Sequence, residues 1–324
     1  MPKPYVKKRG GRSRQVPSPI PDMRANERVL SDLHAALADQ QFGDIDEANA
    51  FLQAQLASGS FSPPRKNGTT PLERAQDIMY DAWDAEGKDR VDLARKALAV
   101  SSDCADAYVL LAEETAVDLA EAIRFLEEGV RAGERALGER IFAEEAGHFW
   151  GILETRPYMR ARFDLAHLLR LRGERSPAIA HMQDLLRLNP GDNQGVRDEL
   201  ATCLLEDGDP EALKKLLDEY PDDCSAVWCY SRALLEYRRE GRTPEADACL
   251  IRAFGQNRFV PPYLLGKKTF PVRAPEYMSI GDETEAVVYA LDNAQVWQET
   301  PNALMWMNLL FVTYRRKPAA KKSR

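Results

Sequence analysis

The feature that most constrains the fold of this chain is a group of small residues and helix breakers between residues 160 and 190. Ala166 and Ala178 lie twelve residues apart on either side of Gly173, and Pro190 follows in the stretch RLNPGD. Glycine commonly ends a helix, and proline cannot continue one. Because small side chains let two helices cross closely, this spacing predicts an antiparallel helix pair in a unit of about 34 residues.

A helix pair of this kind cannot bury its apolar face alone, so further pairs are expected beside it. The following chain repeats the pattern in shortened form, with Ala201, Gly208 and Pro221 in one stretch and Ala246 and Ala253 in the next. No window shows the alternation of apolar and polar residues that is typical of a strand. We therefore predict an all-α fold: a tetratricopeptide-like solenoid of about five helix pairs with capping helices, preceded by a short helical hairpin.

The N-terminal part of the chain is organised differently. Its first helical segment carries Val29, Leu30 and Leu33 at helical spacing. The array is expected to begin at Thr70 and Glu73, a capping-box pair with proline between them at the first helical position. The predicted parts are a disordered basic tail (1–22), a helical hairpin (23–57), a linker (58–70), the repeat domain with its C-terminal capping helices (71–316) and a second basic tail (317–324).

Charge is distributed unevenly along the chain. Residues 1–14 and 315–324 each contain six Lys or Arg and no acid, although the whole chain has a net charge of −7. The body between them therefore carries −19. An acidic body repels nucleic acid, whereas short basic tails attract it. Nucleic-acid association through the tails is accordingly an alternative function rather than the first one.

The apolar runs and the cysteines indicate in which cellular compartment the chain is expected. The longest apolar run, residues 303–312, contains Asn308 and has about half the length that a membrane span needs. The five cysteines are an odd number and show no CxxC spacing. Buried reduced thiols therefore fit better than disulfides. We expect a cytoplasmic chain that does not span a membrane.

Three stretches of the chain resemble the suppression of tumorigenicity 7 family. They are DIMYDAWDAEGKDRVDLARKALAVSSDCADAYVLLAEETAVDLAEAIRFLEEGVRAG, NRFVPPYLLGKKT and GDETEAVVYALDNAQVW, and the similarity covers roughly residues 71–310. The resemblance implies no enzymatic activity and offers no catalytic residues. It also implies the membrane spans that eukaryotic members carry, whereas the hydropathy of this chain predicts none.

Sequence motifs of catalysis are scarce. The chain contains no phosphate-binding G-x-x-x-x-G-K-[ST] motif, no G-x-G-x-x-G motif and no G-x-S-x-G motif. Glu145 and His148 have the E-x-x-H spacing that places two metal ligands on one helix face. A metal-dependent enzyme using this pair is therefore a further alternative. We expect a protein that is not an enzyme and that carries no cofactor.

Candidate binding residues cluster in an insert, residues 144–162, and in the helix after it. Exposed loops on rigid scaffolds often recognise partners, and aromatic residues and arginines are common anchors. Side chains spaced by three and four along a helix share one face, which here is cationic and aromatic. The candidate partner-binding residues are His148, Trp150, Arg156, Tyr158, Arg160, Phe163, His167 and Arg170.

Each of these assignments has a packing alternative. Phe149 and Trp150 fill a gap between two units in that alternative, and the arginines pair with nearby carboxylates. The matching stripe of the preceding unit contains Asp106 and Glu113, which argues against a wholly basic groove.

The expected function is a scaffold that binds a peptide or protein, acidic segments included, on its concave face. The apolar residues of the last helix either fold back on the array or form a self-association surface. They are Trp306, Leu309, Leu310 and Val312.

Overall fold

The computed structural model describes residues 23–38, 40, 42–57, 70–273, 275 and 277–316. Within these residues there are fifteen α-helices, two 3₁₀ turns and no β-strand. The helices are α1 (Met23–Ala38), α2 (Ile45–Ala57), α3 (Pro71–Asp84), α4 (Gly87–Val100), α5 (Ala105–Thr115), α6 (Leu119–Glu144), α7 (Arg156–Arg172), α8 (Arg175–Leu188), α9 (Val196–Asp207), α10 (Pro210–Glu219), α11 (Ala226–Glu240), α12 (Pro244–Gln256), α13 (Val260–Leu264), α14 (Glu283–Glu299) and α15 (Ala303–Arg316). The two expected tails, 1–22 and 317–324, and residues 58–69 of the expected linker lie outside the described residues.

The array begins where the capping-box pattern placed it. The Thr70 hydroxyl accepts a hydrogen bond from the Glu73 backbone N–H at 3.2 Å, and the Glu73 carboxylate accepts one from the Thr70 N–H at 2.6 Å. Pro71 occupies the first turn of α3, where its missing N–H would have no helical partner. The predicted start of the repeat helices is therefore confirmed.

From α3 to α12 the helices form five consecutive antiparallel pairs, as expected. The two alanines that suggested close crossing, Ala166 in α7 and Ala178 in α8, are completely buried. Gly173 ends α7 and Gly208 ends α9, both with a left-handed backbone at φ 89° and 80°. Only glycine adopts this conformation without steric cost, which explains why both breakers were readable from the sequence.

The first helices of successive pairs lie side by side. Contacts run from α3 to α5, then to α7, α9 and α11, and α14 continues the series against α11. These helices therefore form one continuous row along the array, and we call the surface of this row that carries Arg160 the inner face. The predicted helix-pair solenoid is confirmed, and α13, α14 and α15 follow it as closing helices.

The insert between the second and third pairs is smaller than expected. α6 extends to Glu144 across a kink at Gly138, and α7 already starts at Arg156. Two 3₁₀ turns fill the remaining gap. Phe149, in the first turn, is fully buried, and its ring centroid lies 5.2 Å from that of Phe142. Phe149 therefore has the gap-filling position of the packing alternative.

The last helix folds back on the array through part of its apolar surface. Trp306 is buried, its ring stacks on Tyr237 at 4.4 Å, and its indole N–H donates to Asp247 at 2.6 Å. The opposite side of α15 leaves Leu309 and Val312 exposed. Among the described residues, no helix is both long enough and apolar enough to cross a bilayer.

Candidate binding site on the inner face

Arg160 lies at the centre of the inner face and is fully engaged by carboxylates. Its Nε and Nη2 donate to the two oxygens of Asp106 on α5, at 2.9 and 2.8 Å. Its Nη1 donates to both oxygens of Glu27 on α1, at 2.7 and 2.9 Å. The side chains of Glu27 and Asp106 are only 3% and 1% exposed. Burial lowers the pKa of Arg160, but the two carboxylates outweigh it and hold that pKa above its usual value.

Arg156 forms the other wall of the pocket that holds Glu27. Its Nη1 lies 3.4 Å from the Glu27 carboxylate, and its Nε donates to the Trp150 carbonyl at 3.0 Å. The same guanidinium lies 5.1 Å from the centre of the Trp150 ring. A planar guanidinium fixed by a ring and a carbonyl retains little freedom, so Arg156 presents its remaining donors in a set direction. We call Arg156, Arg160 and Asp106 the carboxylate socket.

Helix α1 lies across α3 as well as on the socket. Arg28 donates to Asp81 at 3.0 Å and lies 3.7 Å from Asp84. The guanidinium carbons of Arg24 and Arg160 lie 5.6 and 5.4 Å from the Trp83 ring centre. The segment predicted as part of a hairpin is thus in contact with α3 of the first pair and α7 of the third pair.

A second polar cluster continues the inner face from α7 to α9. Arg170 donates to Glu206 at 2.7 Å and to Glu199 at 3.3 Å. His167 lies 2.6 Å from Glu199 through its Nδ1, and this hydrogen bond raises the pKa of the imidazole. The His167 side chain is still 45% exposed. A partner on the inner face can therefore reach His167, whereas Arg170 is already paired with Glu199 and Glu206.

Asp164 lies between the two clusters, four residues after Arg160 and three before His167. Partial burial, and then the charge of Glu113, raise the pKa of Asp164 to about 7. The inner face near α7 is therefore not uniformly cationic. It alternates positive and negative groups, as the stripe with Asp106 and Glu113 suggested.

The structure places the eight predicted residues in four settings. Arg156, Arg160, His167 and Arg170 lie along the inner face, and each has a carboxylate of this chain within 3.5 Å. Tyr158 is buried and packs edge-on against Phe142 at 5.1 Å, while its hydroxyl accepts from Arg162. Phe163 and Trp150 are partly buried against the core, and His148 is exposed.

Several residues of this surface were not among the sequence-based candidates. Glu27 lies on a segment that the sequence assigned to a separate hairpin, and no local pattern connects it with α7. The helical spacing of α3 predicts that Trp83 faces the array, but it does not indicate that Trp83 contacts the binding surface. The carboxylates of α9 follow helical spacing, since Glu199 and Glu206 are seven residues apart, and that spacing was the available signal.

The predictions of a metal site and of buried thiols concern residues outside the inner face. In the part of the chain that the structure describes, no three His, Cys, Asp or Glu side chains form a metal-binding group. Cys104, Cys203 and Cys249 are buried, as expected for thiols in a core. Cys224 is exposed, so the prediction of burial was wrong for this residue, because it lies in the loop between α10 and α11.

A cavity of about 430 Å³ opens beside that loop. Its lining includes Cys224, Cys229, Cys249 and Arg252. Arg252 lies 2.9 Å from the Cys249 sulfur, and burial raises the pKa of Cys229 to about 11. Burial also raises the pKa of Cys249, so Cys229 and Cys249 are mostly protonated at neutral pH and neither is an activated nucleophile. The basic tails, on which nucleic-acid association depends, lie outside the described residues, so that alternative stays a prediction.

Comparison with known proteins agrees with the resemblance seen in the sequence. A family described as ST7 protein matches residues 67–322. The chain is 30% identical over 266 residues to a suppressor of tumorigenicity 7 protein-like chain of Mus musculus, covering 75% of this chain and 47% of the relative. It is 29% identical over 259 residues to the suppressor of tumorigenicity 7 protein-like chain of Gallus gallus, covering 73% and 46%.

A relative from Caenorhabditis elegans shows a similar identity and coverage. Identity to the ST7 protein homolog of Caenorhabditis elegans is 28% over 284 residues, covering 76% of this chain and 52% of the relative. The chain thus spans about half the length of the relatives that it matches.

Proposed function

This chain belongs to the ST7 protein family, and we propose that it is a non-enzymatic scaffold that binds a protein segment on the inner face of its helical array. The observation that carries the proposal is the contact between Glu27 and the carboxylate socket. A helix of the same chain already lies on the inner face and inserts a carboxylate between Arg156 and Arg160. The surface thus has the chemistry that a helical, carboxylate-bearing ligand requires.

The charges around the socket define the proposed ligand further. Asp81 and Asp84 hold Arg28 beside the buried Glu27. A ligand on this surface therefore needs a carboxylate for the socket and a cation next to it. Farther along, the exposed edge of His167 provides a second contact for an acidic residue. The proposed partner is a protein segment with an acidic residue at its centre, not a nucleic acid.

Cross-linking in cells tests the proposal directly. The photo-reactive amino acid p-benzoylphenylalanine is placed at His167 on the inner face, and in a second variant at Ile251 on α12, the second helix of the fifth pair. Both sites are partly exposed, at 45% for the His167 side chain and 39% for Ile251. We expect a discrete cross-linked protein at position 167 that is missing at position 251. Equal cross-linking at both positions, or none at position 167, contradicts the proposal.

A second part of the proposal concerns α15. Met305, Leu309 and Val312 are 59%, 52% and 40% exposed and lie four and three residues apart on one side of the helix. A contiguous exposed apolar patch often marks a protein–protein interaction site, and a two-fold contact between identical copies is the commonest form of self-association. We propose that two copies pair through this apolar stripe.

We also propose that the chain is located in the cytoplasm. The position of a fluorescent fusion protein in cells tests this proposal.

A further inference from the structure

We propose that α1 is a tethered competitor for the inner face, and that the socket beneath it receives helices carrying the same pattern of charges. The pattern is R-x-x-E-R, which Arg24, Glu27 and Arg28 supply in α1. This inference rests on the proposed function and names its ligand class: an amphipathic helix of another protein with a glutamate followed directly by a basic residue.

The contacts that hold α1 favour its replacement by a helix of another protein. Glu27 is almost completely buried, whereas Val29 and Leu30, two of the large apolar side chains of α1, are 48% and 41% exposed. Leu33 and Leu37 are only partly buried, so the polar contacts of Glu27 and Arg28 are a substantial part of what holds α1. Buried ion pairs contribute little net stability, because desolvation offsets most of the attraction. A contact of this kind is specific for its charge pattern and still weak enough to be displaced.

The socket itself does not depend on α1 for its geometry. Two hydrogen bonds to Asp106 fix the plane of the Arg160 guanidinium, and the Trp150 carbonyl fixes Arg156. The group that α1 adds is the carboxylate that faces both arginines. When α1 leaves, two oriented guanidinium groups remain without that carboxylate. An incoming glutamate restores the contact without rearranging the site, which is the advantage of preorganisation.

α1 is covalently attached to the array, so it competes with any partner within the same molecule. Residues 39–70, which include α2, separate the end of α1 from the start of α3. The effective concentration of an attached helix is set by the length and stiffness of its connection. A partner must therefore outcompete a local competitor, and its apparent affinity is lowered in proportion. Removing the charge contact of α1 should raise the affinity for any ligand of the same class.

The test uses the full chain and a fluorescent peptide with the sequence of residues 23–38, followed by anisotropy. In the Glu27→Lys chain, the new ammonium is repelled by Arg156 and Arg160 and α1 vacates the socket. We expect this chain to bind the peptide at least ~10-fold more tightly than the wild type, by removal of the tethered competitor. A peptide with the same Glu27→Lys change should bind neither chain. The matched control is the Asp32→Lys chain, which has the same charge change on α1 outside the socket and should bind like the wild type.

A second variant, Glu27→Gln, and light scattering complete the test. If the Glu27→Lys chain melts early, the isosteric Glu27→Gln chain replaces it, with an expected gain of several-fold because a neutral amide holds the arginines less well. Equal peptide affinity in the wild-type and Glu27 variants overturns the inference. So does light scattering that shows a wild-type dimer dissociated by Glu27→Lys, because α1 would then lie on a second copy.

The two proposals fail separately. Cross-linking at position 167 without peptide binding leaves an inner-face scaffold whose ligand is unlike α1. Peptide binding without any cross-linked protein leaves an internal contact that has no external partner.

Discussion

Arg160 and Asp106 form a bidentate ion pair that joins α7 to α5, with N–O distances of 2.9 and 2.8 Å. The pair bridges the first helices of the second and third repeat pairs, so it also sets the spacing of the inner face at that point. Gln76 on α3 donates to the same carboxylate at 2.7 Å. Asp106 thus collects contacts from two neighbouring units, and Arg160 turns its remaining donor towards α1.

Removal of Arg160 should be costly. The Arg160→Met change keeps the apolar stem but leaves Asp106 buried without its cation and Glu27 with Arg156 alone. We expect a loss of about 3–5 kcal/mol in the free energy of unfolding, measured by urea titration, because an uncompensated buried charge remains. Arg135→Met is the control, since the Arg135–Asp103 pair is 49% and 38% exposed and should contribute under about 1 kcal/mol. Similar losses for the two variants would contradict the buried network.

Close packing between α6 and α7 gives a second prediction. A β-carbon added at Gly133 would lie 2.7 Å from the β-carbon of Tyr158, which is closer than real contacts allow. We expect Gly133→Ala to lower the free energy of unfolding by about 1–3 kcal/mol, since the two helices must separate. Gly151→Ala has no atom within 4 Å of the added carbon and should be nearly neutral. Equal stability of the two variants would show that α6 and α7 adjust freely.

The sequence predicted those parts of the fold that short stretches of chain determine. The Thr70 capping box and the left-handed Gly173 are local signals, and the buried Ala166 follows from the same unit. Arg160 and Glu27 are 133 residues apart, and no local signal brings them together. The socket was therefore only half predictable, from α7 alone.

Tyr158 shows a different limit of the sequence argument. It precedes Arg160 by two residues, and a helix turns through about 200° over that interval. Its side chain consequently enters the core beside Phe142 while Arg160 faces α1 and α5. The sequence argument placed Tyr158 in the insert as an exposed anchor, whereas α7 already begins at Arg156 and turns this side chain into the core.

Asp198 on α9 provides a test of pH dependence. Its Oδ1 is buried without a hydrogen-bond partner, and burial, followed by the charge of Asp223, raises its pKa to about 7. The folded state therefore binds this proton more tightly than the unfolded state does. The contribution of Asp198 to stability falls as the pH rises from about 4 to about 7, and the penalty is complete above that range.

We expect Asp198→Asn to raise the free energy of unfolding by about 1–3 kcal/mol at pH 8 and to change it little at pH 4, because the amide cannot ionise. Urea titrations of both chains across this range measure the difference. Asp222→Asn, an exposed site in the loop between α10 and α11, should shift neither curve. A gain for Asp198→Asn that is the same at pH 4 and pH 8 would exclude ionisation as its cause.

The cysteines should differ sharply in reactivity. Cys224 is exposed, whereas burial raises the pKa of Cys104 to about 12 and that of Cys203 to about 11. Because the thiolate is the reactive form, native protein treated with iodoacetamide at pH 7.5 should be labelled first at Cys224. Peptide mass spectrometry reads the site, and Cys224→Ser should remove the fast phase. Rapid labelling of Cys104 in the folded chain would show that the first pair opens.

Pairing of two copies through α15 predicts a mass that depends on concentration. The monomer is 36.5 kDa, and light scattering at high protein concentration should give a larger mass that declines on dilution. Leu309→Glu places a charge in the exposed stripe and should return the mass to that of the monomer, since an unpaired buried charge opposes association. The helix itself should remain folded, because Trp306 and Met307 hold its other side in the core. Val117→Glu is the control, an equally charged change at a residue that is 87% exposed in the loop between α5 and α6, and it should leave the mass unchanged. A wild-type chain that stays monomeric at every concentration would remove the pairing proposal and leave the inner-face proposal intact.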